Sequence, residues 1–154
     1  MALQIIKAKP NPVGKDKVGN IIPQLQLAGE WVDFKNVSGV PIDLINVELY
    51  HWAYKSPKAE WEIVLDFSGT LPAGEIVRVH SGGKIPESNL RPEDYQGADH
   101  HVFSGKNYTW NNDKKDYPRL WNKSTKKWID STYYEAWPPE GKVLVRRGDK
   151  LEWP

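Results

Sequence analysis

Between Ser68 and Asn112 the chain is written in short alternating runs, each stopped by residues that bend a backbone. Ser68 to Gly74 leads into Glu75-Ile76-Val77-Arg78-Val79-His80-Ser81-Gly82; Gly97 to Phe103 and Tyr108-Thr109-Trp110-Asn111-Asn112 follow. Leu71-Pro72-Ala73-Gly74 is a turn with a mechanism, because Pro presets φ and Gly supplies a positive φ two residues later. A chain punctuated in this way is confined to short strands joined by tight turns.

The same pattern runs through the whole sequence. Leu3 to Ala8 reads as a first strand, stopped by the loop Pro10 to Asp16. Glu30 to Asn36 alternates, with Val32 and Phe34 on one face and Asp33 and Lys35 on the other. A turn over Val37 to Pro41 precedes β character from Ile42 to Tyr54, with Leu44, Val47 and Leu49 as core. Trp61 to Phe67 places Ile63, Leu65 and Phe67 on one side, and in Glu75 to His80 either Ile76 or Val77, with Val79, takes the inner face. Residues 82–98 read as a long loop, and His100 to Phe103 as a short strand. Tyr108-Thr109-Trp110 and Arg119-Leu120-Trp121 read as a hairpin around Asn111-Asn112-Asp113. Ser124-Thr125-Lys126 is a turn before Trp128 to Tyr134, and Lys142 to Arg146 is a late strand. Only residues 86–95 hint at a helix, and prolines interrupt them. About nine strands spaced by turns predict an all-β, two-sheet sandwich rather than a βαβ fold, with residues 1–154 as one domain.

Eight Trp and seven Tyr against three Phe and one Met is an unusual balance, suited to strands and to surfaces that need a polar edge. The absence of Cys removes disulfides, thiolate nucleophiles and Cys-containing zinc sites without deciding the compartment. Leu3, Ile5 and Ile6 alternate into Lys7 and Lys9, so no apolar core of signal-peptide length opens the chain; a soluble protein is expected, its compartment open with the cytoplasm favoured. No run approaches the roughly 18 apolar residues of a membrane span.

Net charge is +1, unevenly placed. Residues 105–128 hold Lys106, Lys114, Lys115, Arg119, Lys123, Lys126 and Lys127 against two Asp, a local charge of +5, whereas residues 29–104 carry −6. The basic stretch reads first as a solvated hairpin whose lysines discourage edge pairing, and second as a surface for a polyanion, with Trp110, Tyr117, Trp121 and Trp128 interleaved for stacking.

Taken in order, Glu30 to Asn36 with Gly39 and Ile42-Asp43-Leu44, Phe67 to Glu75 with Val77 to Gly82, Trp110-Asn111-Asn112, Leu120-Trp121, and Ile129-Asp130 through Tyr134 resemble the lamin tail domain over about residues 3–146. The resemblance implies an immunoglobulin-like sandwich acting as a binding module, with Gly69, Leu71, Gly74 and Asn36 in structural roles. No heptad rod accompanies it, so a free-standing version of the prokaryotic kind is implied rather than a filament subunit. Two features depart from the family: Lys115-Asp116-Tyr117-Pro118 stands where Gly-Asp is common, and residues 82–98 are an insertion able to house a private function.

Candidate chemistry is sparse. His80, Asp99 and one of His100 and His101 are the best metal candidates, but adjacent strand residues point to opposite faces, so pairing across strands or bonding to backbone is the expected role of these histidines. Glu60 with Glu62 and Glu93 with Asp94 are carboxylate pairs without the cleft and raised pKa that sugar hydrolysis needs. No nucleophile elbow, phosphate loop or dinucleotide fingerprint is present. Tyr50, Trp52 and Tyr54 project from one strand face; with Trp110, Trp121, Trp128, Tyr133, Tyr134 and Trp137 they would either close the ends of the sandwich, indole N–H groups bonded to backbone, or form a sugar-stacking platform. The expectation is a non-enzymatic interaction module without cofactor or metal, binding a protein or other macromolecule through edge strands and loops. Carbohydrate or nucleic-acid binding comes second and a metal-dependent hydrolase third.

Overall fold

The computed structural model describes residues 2–154. Twelve strands follow in order: β1 (Leu3–Lys9), β2 (Trp31–Asn36), β3 (Ile42–Asp43), β4 (Val47–Ala53), β5 (Glu60–Asp66), β6 (Thr70–Leu71), β7 (Ile76–His80), β8 (His100–Phe103), β9 (Arg119–Asn122), β10 (Lys127–Ser131), β11 (Leu144–Arg147) and β12 (Lys150–Glu152). One sheet has the order β12-β11-β1-β2-β7-β8, the other β10-β9-β4-β5, and the pair β3-β6 forms a small third sheet. The helices are short: α1 (Gln24–Ala28) and α2 (Pro92–Tyr95). None among the described residues is long and apolar enough to cross a membrane. The fold is all-β, as the turn spacing predicts. The strands beyond nine include the two-residue pair β3-β6 and the final β12, all too short to leave an alternating pattern.

Ile5, Ala8, Val32, Phe34, Val77 and Val79 from the larger sheet meet Val47, Leu49, Val64 and Leu120 from the smaller one in a single buried cluster. Leu44, Phe67, Leu71, Trp110, Tyr134, Leu144 and Leu151 complete it. Val77 and Val79 take the inner face of β7, and Ile76 does not. In β5 the expected grouping of Ile63 with Leu65 and Phe67 fails. The register slips between Leu49↔Leu65 and Tyr50↔Ile63, so a bulge at Val64 sends Ile63 to the opposite face from Leu65.

Turn chemistry follows the sequence closely. Gly69 and Gly74 adopt φ of 86° and 77°. The buried Asn36 amide donates to Val40 O at 2.8 Å and Leu71 O at 3.0 Å, and its Oδ1 accepts from Ser38 N at 3.0 Å. That side chain ties the end of β2 to the turn after it and to β6.

Two further expectations need correction. Tyr108 to Trp121 is not a hairpin; the hairpin is β9–β10, turning over 123–126. The reason lies in Asp116, whose Oδ1 accepts from Trp52 N at 2.9 Å and whose Oδ2 accepts from Asn111 N at 3.0 Å. The carboxylate, rather than a ladder, takes up these backbone donors, and Pro118 supplies no donor of its own. Residues 82–98 are also more than a loop. β7 and β8 are parallel, which requires a crossover, and this segment, with a 3₁₀ turn over Glu87–Asn89 and α2, provides it.

Candidate functional site

The two outer faces of the sandwich differ in chemistry. On the six-stranded sheet the outward residues Lys9, Trp31, Asp33 and Arg78 are buried, because the 82–98 crossover lies over them. Arg78 is bidentate to Asp33 at 2.7 and 2.8 Å and donates to Gln96 O at 2.7 Å, while its guanidinium stacks 3.6 Å above the Trp31 ring. Asp94 on α2 accepts from Lys9 Nζ at 2.6 Å and Trp31 Nε1 at 2.9 Å. Charges held in this way are pinned structural elements. The 82–98 segment is therefore a cover, with Asp94 and Gln96 as its anchors.

Among the described residues nothing covers the outer face of the four-stranded sheet in this way. Tyr50 and Trp52 of β4, Trp61 of β5, Arg119 and Trp121 of β9 and Trp128 of β10 project there, all half-buried. The registers Trp52↔Trp61, Tyr50↔Arg119 and Trp121↔Trp128 place them in rows across the strands. Trp61 and Trp128 start on opposite edge strands, yet their rings meet at 5.0 Å. Trp121 packs edge-on to Trp128 at 4.8 Å, Trp52 to Trp61 at 4.9 Å and Tyr50 to Trp128 at 5.8 Å. Edge-to-face contacts are the preferred aromatic geometry, so the paving is rigid without being flat.

Arg119 sits within the paving, 4.7 Å from the centre of Trp61, 5.4 Å from Trp128 and 5.9 Å from Tyr117. Its Nε is buried without a hydrogen-bond partner, and among the described residues no carboxylate pairs with it. Two shallow hollows flank Trp61. One, of about 270 Å³, is lined by Trp52, Trp61, Tyr117 and Arg119; the other, of about 240 Å³, by Tyr50, Trp61, Trp121 and Trp128.

The aromatic residues named from the sequence separate into groups. Trp110 and Tyr134 are in the core, and Tyr134 Oη donates to Asn111 O at 2.8 Å. Tyr50, Trp52, Trp121 and Trp128 face outward instead of closing the ends of the sandwich. Tyr54 is 41% exposed at the edge of the paving and donates to Lys115 O at 2.7 Å. Trp137 is 75% exposed, elsewhere, beside Pro138. Among the described residues only the Trp31 indole N–H has a protein partner, and that partner is a carboxylate. Trp61 is the residue a strand-by-strand reading misses, since only the bulge and cross-strand register place it beside Trp52.

The basic residues do not form one stripe. Lys114 and Lys115 sit at one end of the smaller sheet, over Tyr54 and Tyr133 respectively. Lys123, Lys126 and Lys127 cluster at the opposite end, in the β9–β10 turn, where Lys123 pairs with Asp66 at 3.1 Å. Lys106 donates to Ile63 O.

His80 and His101 do come together, Nε2 to Nδ1 at 2.8 Å, and His80 Nδ1 bonds Ala28 O at 2.6 Å. Burial pushes His80 down to about 4. No group of three or more His, Asp or Glu close enough to hold a metal occurs among the described residues; His100 turns away to Glu75 at 2.6 Å. Of the carboxylate pairs, Glu62 is tied to His51 and Lys55 while Glu60 is exposed, and Asp94 is buried while Glu93 is exposed. Burial alone would lower the pKa of His51; Asp116 and Glu62, one on each ring nitrogen, outweigh it and raise it. Burial also pushes the Glu30 carboxyl up to about 8, against hydrogen bonds from Ser81 Oγ at 2.5 Å and Thr109 N at 2.8 Å. No protein-family model matches this chain, and no curated protein matches it.

Proposed function

We propose that this chain is a non-catalytic binding module of the lamin tail kind whose contact surface is the aromatic outer face of the four-stranded sheet, and that carbohydrate is the ligand class this face suits. One observation carries the reading: of the two outer faces, one is sealed by the 82–98 crossover, and the other is paved with Tyr50, Trp52, Trp61, Trp121 and Trp128. A pyranose presents C–H bonds on one face and hydroxyls around its rim. The C–H face is attracted to the negative face of an indole and the rim stays in water. Hollows near the small end of ligand pockets, about 300 Å³, suit one sugar ring each, and their common wall at Trp61 suits consecutive rings of a chain.

Titration of the intact chain with glucan and chitin hexamers, read by tryptophan fluorescence, tests this. The reading expects a saturable spectral shift, protection from acrylamide quenching, and loss of both in Trp121→Ala. Absence of any shift across a broad glycan panel would remove it.

A second reading is supported by the β12 edge. Trp137 and Trp153, both exposed, flank a hollow of about 140 Å³ there, while the outward backbone donor of β12, Leu151 N, is bonded to Tyr133 O at 2.8 Å. A protein partner would be held there by contact with the two rings rather than by an added strand.

A further inference from the structure

We propose that the carbohydrate recognised on this face is a uronate-bearing polysaccharide, its sugar rings stacked on the tryptophans either side of Trp61 and one carboxylate held by Arg119. This rests on the aromatic face being the glycan site and goes further by assigning the charge of the ligand.

Elsewhere in the molecule the arginines that reach partly or wholly inside have an acceptor: Asp33 for Arg78, Asp130 for Arg146 at 2.8 Å, and Val13 O for Arg91 at 3.2 Å. Arg119 is the exception. It lies against three aromatic rings, lines the larger hollow, and has no carboxylate partner and no acceptor for its Nε among the described residues. Cation–π contacts hold a guanidinium in place without using up its hydrogen-bond donors. The Nε is buried, but the two Nη nitrogens, which make no hydrogen bond among the described residues, match a carboxylate end-on and bidentately.

Neighbouring charge selects the kind of acid. Glu48 accepts from Tyr50 Oη at 3.2 Å, and Asp66, opposite it on β5, pairs with Lys123. These carboxylates border the face on the β4–β5 side, while the lysines lie at its two ends. A densely charged polyphosphate or polysulfate crossing the sheet would meet them and be repelled. A chain with at most one carboxylate per sugar can place its acid at Arg119 and its neutral C–H faces on Trp121 and Trp128.

The experiment is calorimetric titration of the full chain with hexamers of galacturonate, mannuronate, guluronate and alternating glucuronate–N-acetylglucosamine, with cellohexaose and xylohexaose as neutral probes and a dT oligonucleotide as polyphosphate probe. Variants are Arg119→Met, which keeps the stem packed between the rings, Arg119→Lys, which keeps charge but loses the fork, and Trp121→Ala, each checked for native near-ultraviolet dichroism. At least one uronate hexamer should bind more tightly than both neutral hexamers. Arg119→Met should weaken it about ten- to a hundredfold, the range of a charged hydrogen-bonded pair, and Arg119→Lys should recover only part of that. Neutral hexamers should be insensitive to Arg119→Met and sensitive to Trp121→Ala. If uronates and neutral sugars bind equally and both Arg119 variants are silent, the acid assignment is overturned while the glycan face stands. If no hexamer binds, both fall. Tighter binding of the dT oligonucleotide than of any uronate, lost in Arg119→Met, would overturn the proposal in favour of nucleic acid.

Discussion

Removing the Asp94 carboxylate tests the claim that the 82–98 segment is a structural cover. Asp94 and Lys9 are 1% and 2% exposed and 2.6 Å apart, and the same oxygen accepts the Trp31 indole N–H at 2.9 Å. In Asp94→Ala the ammonium of Lys9 remains in a dry layer between sheet and crossover with no counter-charge. Breaking a buried pair from one side costs about 3–5 kcal/mol. For a chain of this length each kcal/mol shifts Tm by about 2–4 °C, so about 4 kcal/mol corresponds to a fall of roughly 8–16 °C. Urea unfolding followed by far-ultraviolet dichroism measures the free energy directly. The double variant Lys9→Met/Asp94→Ala separates lost charge from lost packing. With no ammonium left to strand, it should recover about 2–3 kcal/mol of the single variant's loss. If Asp94→Ala lies within about 1 kcal/mol of the parent chain, or if the two substitutions add without recovery, the crossover is not held by this pair and the account of the covered face is wrong.

Glu30 keeps its proton to about pH 8 in the fold but releases it near 4.5 when unfolded. The folded state therefore binds more protons in that window, and stability falls as pH rises through it, by at most about 1.4 kcal/mol per pH unit. His80 acts in the opposite direction: neutral in the fold down to about 4 and protonated below 6.5 when unfolded, it removes stability as pH falls from 6.5 to 4. Stability should thus decline from pH 6.5 to 8, with His51, raised in the fold, adding to the decline. Glu30→Gln should flatten it, and an unchanged slope in urea midpoints at pH 6.5, 7.2 and 8 would count against a protonated Glu30. Asn36→Ala should cost about 2–3 kcal/mol in urea unfolding, since Val40 O and Leu71 O both lose a donor; a loss below about 0.5 kcal/mol would show that the amide does not hold the turn. The intact chain should give no salt-sensitive mobility shift with DNA, and a shift abolished by Lys114→Glu/Lys115→Glu would reinstate a polyanion surface.

How much of this was legible in the sequence depends on the range of the interaction concerned. Strand existence, the Leu71–Gly74 turn, the structural role of Asn36 and the core positions Leu44, Val47 and Leu49 are local, set by alternation and turn residues. The face of Ile63 was not legible, because the Val64 bulge exists only in the pairing of β5 with β4. The Tyr108–Trp121 hairpin looked sound for the same reason: nothing local says that Asp116 takes backbone donors from β4 and from residue 111. The candidate face combines the two cases. Tyr50 and Trp52 follow from period two, whereas Trp61, Trp121 and Trp128 join them only through cross-strand register. Residues 82–98 read as a loop because the anchors of the cover, Asp94 and Gln96, bind partners that lie far away in the chain.

The most direct test of the central claim is a two-dimensional NMR titration of the indole Nε1–H signals with uronate and neutral hexamers. The account predicts that Trp52, Trp61, Trp121 and Trp128 shift together with ligand while Trp31, bonded to Asp94 beneath the crossover, stays fixed. Shifts confined to Trp137 and Trp153 at the β12 edge, with the four sheet-face indoles unmoved, would contradict it.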